Sequence, residues 1–258
     1  MNSEAEFANI YSSRLTPLLE SLEVSRKQVV KLFWNAIIWL LLLIPVVYVA
    51  VSLGNPWILL LGAAPIVVAV LRFSRYGKSK RNYVLGFKQT VIKELVKLQN
   101  TDLIYMPQSK INLDEYCEAD IFHERIDSYD GDDLVNGFIG VTAIRFSELH
   151  HQEKRETKDS RGNRQTTWVT IFKGIFFIAD FNKNFIGRTY VFPDAGSSFL
   201  GIGKLFEKWS GGRGELVKLE NPEFEKIFTV YSTDQVEARY ILSPSLMERL
   251  VKFRMKKA

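Results

Sequence analysis

The residues with the clearest potential for chemistry form an acidic stretch, Asp-Ser-Tyr-Asp-Gly-Asp-Asp, at positions 127–133. Carboxylate oxygens are the ligands that calcium prefers, and a loop can wrap several of them around one ion. Asp130, Asp132 and Asp133 are therefore candidates for binding a ligand or a partner. The order of the stretch does not match the EF-hand loop. A polar turn in front of a strand at Phe138 explains it equally well, so the sequence assigns no metal and no cofactor.

Two other pairs of residue types could support chemistry, and neither completes a site. Glu148 and His150 would share one face of a strand, whereas His150 and His151 would face opposite ways. Two ligands do not make a zinc site, and the sequence contains no CxxC or HExxH motif. Cys117 and His123 could act as nucleophile and base, but nothing near them indicates an oxyanion hole. The sequence therefore predicts no catalytic residue.

A second charged group, Asp234, Glu237 and Arg239, lies within FTVYSTDQVEARYILSP at positions 228–244. One interpretation is that these residues recognise a ligand or a partner. The alternative is structural: Ser232 or Thr233 would cap a helix, and Asp234 would lie in its first turn, where a carboxylate complements the positive helix end. Glu237 and Arg239 are two positions apart and so do not share a helix face. The structural interpretation is favoured because it explains every one of these residues.

The element that dominates the chain is an apolar run. Residues 32–71 contain no Asp, Glu, Lys or Arg. About 40 residues suffice for two membrane-spanning helices, and the turn sequence Ser-Leu-Gly-Asn-Pro at 52–56 divides the run. We predict a two-helix transmembrane hairpin over 32–73. The alternative is a helical pair buried in the core of a soluble domain.

Basic residues lie next to both ends of the hairpin and are absent from the turn between its two helices. Arg26, Lys27 and Lys31 precede it, the turn carries no charge, and a membrane-surface cluster follows it, formed by Arg72, Arg75, Lys78, Lys80 and Arg81. The positive-inside rule then places both termini in the cytoplasm. The formal net charge of +5 lies largely in this cluster, which favours anionic headgroups over nucleic acid as its partner. A single cysteine excludes an internal disulfide and fits a reducing compartment.

The remaining chain has helical periodicity next to the hairpin and strand patterns beyond it. We predict an amphipathic amino-terminal helix over 1–31, an amphipathic stalk helix over 74–105 and a cytoplasmic α+β domain over 106–258 with a mainly antiparallel sheet. The two flanking helices either bury each other or cover the domain, or they dock a partner or form a homo-oligomer. A polar segment at 150–165 predicts a long β-hairpin with a mobile tip. Residues 199–213 are a candidate for a second contact with the membrane surface.

Four motifs together resemble a known family. They are YDGDDLVNG, FSELHH, FKGIFFIADF and PEFEKIFTVYSTDQVEARYILSP, in this order after a membrane segment. The chain resembles an uncharacterised bacterial membrane-anchored family catalogued as domain of unknown function 3137. The family has no established activity or catalytic residues, so the resemblance implies none. Relatives are often encoded near LemA-type membrane proteins, and the resemblance therefore implies such a protein as a partner.

These observations predict a membrane-anchored cytoplasmic binding or scaffold module that recruits a protein or lipid at the bacterial inner membrane. The alternative is a membrane-tethered enzyme that uses the acidic residues of 127–133, with or without a divalent metal. A transporter or channel subunit is disfavoured because the predicted spans contain no ionisable residue that would mark a pathway.

Overall fold

The chain forms two compact units, Met1–Phe181 and Asn182–Ala258. The computed structural model describes residues 11–158, 164–193 and 214–256. The predicted mobile tip of the long hairpin, at residues 159–163, therefore lies outside the described residues. The segment 199–213 also lies outside them.

Two long helical segments, Tyr11–Ser52 and Pro56–Gln99, begin the first unit. Helix α1, Thr16–Leu41, ends four residues before Pro45, because a proline has no N–H to bond the carbonyl of Leu41. The turn between the segments uses Gly54 with φ +60°. The elements in order are a π-helical turn Tyr11–Leu15, α1 Thr16–Leu41, α2 Leu43–Ser52, a 3-10 helix Pro56–Gly62, α3 Ala63–Phe87, a π-helical turn Lys88–Ile92 and α4 Lys93–Gln99.

Both segments are long and apolar enough to cross a membrane, judged by length and composition. Within their most apolar windows only 6% and 17% of the residues are buried. Helices in the core of a soluble domain would be mostly buried, so this exposure argues against that alternative. The exposed side chains are large and apolar, and include Trp34, Ile44, Tyr48, Val51 and Trp57.

The helices continue without interruption past the predicted boundaries at residues 31 and 73 and pack against each other in one chain. Helices α1 and α3 are in contact along their length. Leu15 and Val91 are buried, and Arg14 forms an ion pair of 3.4 Å with Glu94. The two flanking segments thus form a helical stalk, which we define as residues 11–31 and 74–99.

An antiparallel sheet of four strands, which pair in their order along the chain, completes the first unit. Its third and fourth strands form a long hairpin, which confirms the predicted hairpin, and the fold class is α+β as predicted. One face carries a core in which Tyr116 contacts Phe122, Tyr129, Phe172 and Phe176. The elements are β1 Leu103–Met106, α5 Leu113–Glu118, β2 Ser128–Ile139, β3 Thr142–Lys158 and β4 Arg164–Asp180.

The second unit has its own sheet and core. Three short strands lie in the order β5-β7-β6, and helices cover them. Because this core is separate from that of the first sheet, the structure differs from the expectation of one domain over 106–258. The elements are β5 Thr189–Pro193, β6 Glu215–Leu216, α6 Pro222–Glu225, β7 Phe228–Ser232, α7 Gln235–Ile241 and α8 Pro244–Met255. The buried core residues are Val217, Phe224, Val230, Ala238, Leu242, Met247 and Val251.

Candidate functional site

Residues 128–133 of the acidic stretch lie in strand β2, directly after Asp127, so the interpretation of this stretch as a loop or polar turn is wrong. Residues 128–132 of β2 pair with residues 152–148 of β3, with Asp132 opposite Glu148. The register then shifts between Asp132 and Val135, and Asp133 takes a left-handed backbone conformation with φ 60°. This bulge turns Asp133 out of the strand pattern toward the stalk. The sequence alone could not show it, because the pairing partner is distant in the chain.

Lys88 of the stalk joins Asp132 and Asp133. Its Nζ donates hydrogen bonds to Asp132 Oδ2 at 2.5 Å and to Asp133 Oδ2 at 2.8 Å. The Tyr105 hydroxyl donates to the other oxygen of Asp133. These four residues, which we call the Lys88 cluster, tie the helical stalk to strands β1 and β2. Lys88 is also the first residue of the π-helical turn Lys88–Ile92. Such turns within α-helices are frequent at functional sites.

The electrostatics of the Lys88 cluster favour the charged lysine and the neutral tyrosine. Partial burial lowers the pKa of the Lys88 ammonium, but the hydrogen bonds to Asp132 and Asp133 outweigh it and raise that pKa above its usual value. Burial, followed by the hydrogen bond to the Asp133 carboxylate, raises the pKa of Tyr105 well above its ordinary range. Both groups therefore keep their protons throughout the neutral range and act as hydrogen-bond donors.

A metal ion at this place would compete with Lys88. Carboxylate oxygens of Asp132, Asp133 and Glu148 lie within 4.8 Å of one another, close enough to share a cation. The Lys88 ammonium is already hydrogen-bonded to two of the three carboxylates and supplies a positive charge between them. The arrangement is thus explained as an internal ion-pair network that holds the stalk to the sheet.

Beside the Lys88 cluster, the open face of the sheet forms a polar cleft of about 610 Å³. Asp130 of β2, His150 of β3 and Lys173 of β4 lie side by side in one row across it. His150 Nε2 lies 3.1 Å from Thr170 Oγ1. This surface carries three acidic side chains, Asp130, Asp132 and Glu148, beside the basic His150 and Lys173, which suits a polar partner. The residues that line the cleft are Asp130, Gly131, Asp132, Glu148, Leu149, His150, Lys173 and Gly174.

The other residues considered for catalysis have separate structural surroundings. His151 is completely buried on the opposite face from His150, and its ring nitrogens lie 3.0 Å from the Tyr116 hydroxyl and 3.3 Å from the Arg125 carbonyl. His123 Nε2 lies 3.0 Å from Asp120 Oδ1, and Cys117 is exposed. None of these contacts is that of a nucleophile with its base.

In the second unit, the carboxylates of Asp234 and Glu237 accept hydrogen bonds from backbone N–H groups. Asp234 itself is the cap of α7 and accepts from the N–H groups of Val236 and Glu237 at 2.8 and 2.9 Å. The prediction that Ser232 or Thr233 caps this helix is therefore wrong, because β7 extends to Ser232 and the chain turns into the helix two residues later.

The Glu237 carboxylate accepts from Ile186 N–H at 2.9 Å and from Gly187 N–H at 2.7 Å. Arg239 is exposed and donates to the Gln235 carbonyl at 3.2 Å. Glu237 thus fixes the segment that leads into β5, whereas the hydrogen bonds of Arg239 within the described residues go to Gln235 of its own helix. The three residues do not converge on one point where a ligand would sit.

Replacing Glu237 by glutamine is expected to loosen the backbone at Ile186 and Gly187. An amide has one acceptor oxygen, so one of the two N–H groups loses its partner, at a cost of about 1–2 kcal/mol. Hydrogen exchange of residues 182–193, followed in the full chain by mass spectrometry, should become roughly ten-fold faster at these amides. Arg239→Gln is the matched control and should leave this exchange unchanged. Equal exchange in all three proteins would contradict the structural role of Glu237.

The membrane-surface cluster lies on α3 directly after the apolar part of the second helical segment. Arg75, Lys78, Lys80 and Arg81 are exposed, and Arg72 is half-buried. These five basic residues lie on consecutive helical turns at the membrane end of the stalk, and we call them the basic collar.

Comparison with family models gives a match to the carboxy-terminal part of the chain. Residues 170–258 match the family described as protein of unknown function (DUF3137). The match covers the last 89 of the chain's 258 residues, which we call the DUF3137 segment. Comparison with curated proteins and with solved structures finds no match.

The DUF3137 segment begins within β4 and includes the second unit. It contains Lys173, Glu237 and Arg239, while the Lys88 cluster lies before it. The predicted resemblance to this family is confirmed by that match.

Lys88 and Tyr105 are the functional-site residues that sequence reasoning missed. Lys88 lies in an amphipathic helical pattern and Tyr105 in a four-residue strand, and neither pattern marks a long-range partner. The only signal in the sequence was the excess of carboxylates at 130–133, which calls for a nearby cation. Which cation satisfies it depends on the packing of the stalk on the sheet.

Proposed function

We propose that this chain is a membrane-anchored cytoplasmic module of the bacterial inner membrane that binds a partner protein or lipid. The observation that carries the proposal is the exposure of the large apolar side chains along both helical segments. So much exposed apolar surface would be unfavourable in water, and a bilayer would cover it. The helices would form a hairpin that crosses the membrane twice.

The distribution of charge supports the proposed orientation. The basic collar on α3 and the basic residues of α1 lie at the same end of the hairpin, and the turn at 52–56 carries no charge. This asymmetry favours a cytoplasmic location for both termini and for both sheets. The collar would then contact the anionic headgroups of the inner leaflet.

Anchoring would make binding effective by confining the domain to the bilayer. A tethered module meets other membrane proteins at a high effective concentration. The mixed charges of the polar cleft suit a polar surface on such a partner, and a LemA-type membrane protein is the candidate that the family resemblance suggests. Association of two copies through the stalk remains a prediction, although within one chain the two stalk helices already bury each other's apolar residues.

The lone cysteine offers a direct test of the orientation. Cys117 is exposed on α5 of the first unit and is the single cysteine of the chain. In intact spheroplasts, a membrane-impermeant maleimide is expected to leave Cys117 unlabelled, and lysis should make it reactive. The chain should also remain in the membrane after an alkaline carbonate wash.

The matched control moves the reporter to the turn of the hairpin. Ser52 is exposed beside that turn, and a Cys117→Ser/Ser52→Cys variant should be labelled in intact spheroplasts. Labelling of wild-type Cys117 before lysis would mean that the orientation is the reverse of the proposed one. If both positions were protected in intact spheroplasts and became reactive only on lysis, the two segments would not cross the membrane.

Gentle purification of the full chain from native membranes tests the binding role. A stoichiometric membrane partner is expected with the wild-type protein. A His150→Gln/Lys173→Gln variant should lose that partner if the polar cleft holds it. A partner retained by the variant would move the binding surface elsewhere, and a protein that purifies alone would weaken the proposal.

A further inference from the structure

Two contacts with β2, one from Lys88 of the stalk and one from Asn100 directly after it, fix the direction in which β2 runs. Lys88 contacts Asp132 near the start of β2, and the Asn100 side chain donates to the Phe138 carbonyl at 3.0 Å near its end. From Lys88 to Asn100 a helix rises about 18 Å, and from Asp132 to Phe138 a strand rises about 20 Å. The nearly equal lengths mean that β2 runs alongside the stalk, away from the end of the stalk that joins the apolar hairpin.

Strand β3 is antiparallel to β2 and therefore runs back toward the apolar hairpin. The last pair of β2 with β3 is Ser128 with Gln152, but β3 and β4 remain paired as far as Lys158 and Arg164. The part of this hairpin beyond Gln152 is a two-stranded ribbon, residues 153–158 and 164–169, which we call the arm. A groove lined by Gly77, Lys80 and Arg81 together with Asp132 agrees with this direction, because it brings the sheet close to α3 on the membrane side of Lys88.

The arm is long enough to reach the base of the stalk. Going back from Lys88, Arg75 in the basic collar lies about 20 Å away along the helix. From Glu148, which is opposite Asp132, Lys154 lies about 20 Å away along β3 and Lys158 about 33 Å. Trp168 is opposite Lys154. These lengths put Trp168 at about the height of Arg75. The described end of the arm at Lys158 extends roughly 13 Å further along the ribbon. The twist of the ribbon reduces how much of this length is directed toward the membrane.

The side chains of the arm have the chemistry of a membrane interface. Trp168 is 50% exposed. Exposed tryptophans are favoured at the headgroup level, where the ring is partly apolar and the indole N–H finds an acceptor. The described residues of the arm carry more positive than negative charges: Lys154, Arg155, Lys158 and Arg164 against Glu153 and Glu156. An anionic lipid surface complements both features.

We propose that the arm is a second membrane contact, which places Trp168 among the headgroups and Lys158 and Arg164 near anionic lipid phosphates. This inference rests on the proposed membrane anchoring by the hairpin. The hairpin and the arm together contact the bilayer at two separated points. Two points stop the first unit from tilting about the stalk and keep the polar cleft at a fixed height above the membrane.

Site-specific fluorescence in lipid nanodiscs tests the arm. The full chain with Cys117→Ser receives one cysteine at Thr166, which is exposed on the same strand face as Trp168, and an environment-sensitive dye. The discs contain phosphatidylcholine and phosphatidylglycerol, with a fraction of lipids spin-labelled at the headgroup. Two matched positions serve as references: Val141 is 82% exposed at the opposite end of the sheet, and Tyr48 is 71% exposed in the apolar part of the hairpin.

The headgroup label is expected to quench the dye at Thr166 several times more strongly than the dye at Val141. Quenching at Thr166 no greater than at Val141 would overturn the proposal, while acyl-chain spin labels that quench at Tyr48 would show that the hairpin is still inserted. Absence of quenching at Tyr48 would instead refute the membrane anchoring itself. The two failures are thus distinguishable.

Charge reversal identifies the lipid chemistry. Each basic residue near an anionic surface contributes roughly a five-fold factor in binding. A Lys158→Glu/Arg164→Glu variant should therefore reduce quenching at Thr166 toward the level at Val141 in discs with phosphatidylglycerol. The same reduction is expected for the wild-type arm in discs of phosphatidylcholine alone. Quenching that is indifferent to both changes would overturn the role of these charges.

Discussion

Replacing Gly131 by alanine is expected to destabilise the first unit by about 3 kcal/mol or more, which is at the upper end for a single added methyl group. A Cβ at Gly131 would overlap the backbone carbonyl oxygen of Glu148 and lie 2.9 Å from Leu149 Cδ2. A carbonyl in a paired strand cannot move away without breaking the sheet register. Thermal unfolding of the full chain in detergent should shift down by about 10 °C.

Gly174→Ala is the matched control for this substitution. Gly174 lies opposite Leu149 in the neighbouring strand, and the nearest atom to its added Cβ would be Phe172 Cζ at 3.7 Å, an ordinary van der Waals distance. This variant should unfold within about 0.5 kcal/mol of the wild type. Equal unfolding of the two alanine variants would mean that β2 and β3 are not as close at Gly131 as the structure has them.

The second large effect is expected for Lys88→Met, which keeps the length of the side chain and removes its charge. Asp132 and Asp133 would lose their charge-assisted hydrogen bonds while facing Glu148. We expect a loss of about 2 kcal/mol, because water reaches these partly exposed carboxylates and offsets part of the cost. Thermal unfolding of the full chain measures it. Lys88→Met/Asp132→Asn/Asp133→Asn should recover part of the stability, since the repulsion is removed together with the lysine.

The pH dependence of this stabilisation follows from the direction of the lysine shift. The pKa of Lys88 is raised in the folded chain by its two carboxylate partners, although burial opposes them. Its contribution is therefore complete below the pKa of an unfolded lysine and is lost as the pH rises through the higher folded pKa. The difference between wild type and Lys88→Met should be constant across neutral pH and shrink as the solution becomes alkaline.

The same variant separates the anchored binding module from the metal-dependent enzyme. With Lys88 removed, three carboxylates are left close together, and millimolar Ca²⁺ should raise the melting temperature of Lys88→Met at constant ionic strength. The wild type should not respond, because Lys88 already provides the positive charge. A wild-type response that Asp132→Ala abolishes would contradict this and favour the enzyme alternative.

Local patterns in the sequence were sufficient for the helical hairpin and for the β3–β4 hairpin. The charge-free run at 32–71 and the turn residues at 52–56 depend only on neighbours along the chain. So does the start of α8 at Pro244 after Ser243. The periodicity of the flanking segments likewise predicted helices that continue out of the apolar hairpin, and α1 and α3 run across both predicted boundaries.

The roles of the charged residues depended on contacts between distant parts of the chain. Asp132 and Asp133 looked like a loop because a run of acidic and glycine residues disfavours a strand, yet pairing with β3 overrides that local preference. Asp234 became the helix cap because β7 extends through its pairing with β5 as far as Ser232.

The sequence by itself determined where the chain is apolar, where it turns and which family its end resembles, because these properties are carried by consecutive residues. Only the tertiary structure decided that Lys88 neutralises the acidic stretch, that Glu237 binds two backbone amides and that the arm points toward the basic collar. Each of these depends on strand register and on helix-to-sheet packing between residues far apart in the chain, and local patterns contain no information about either.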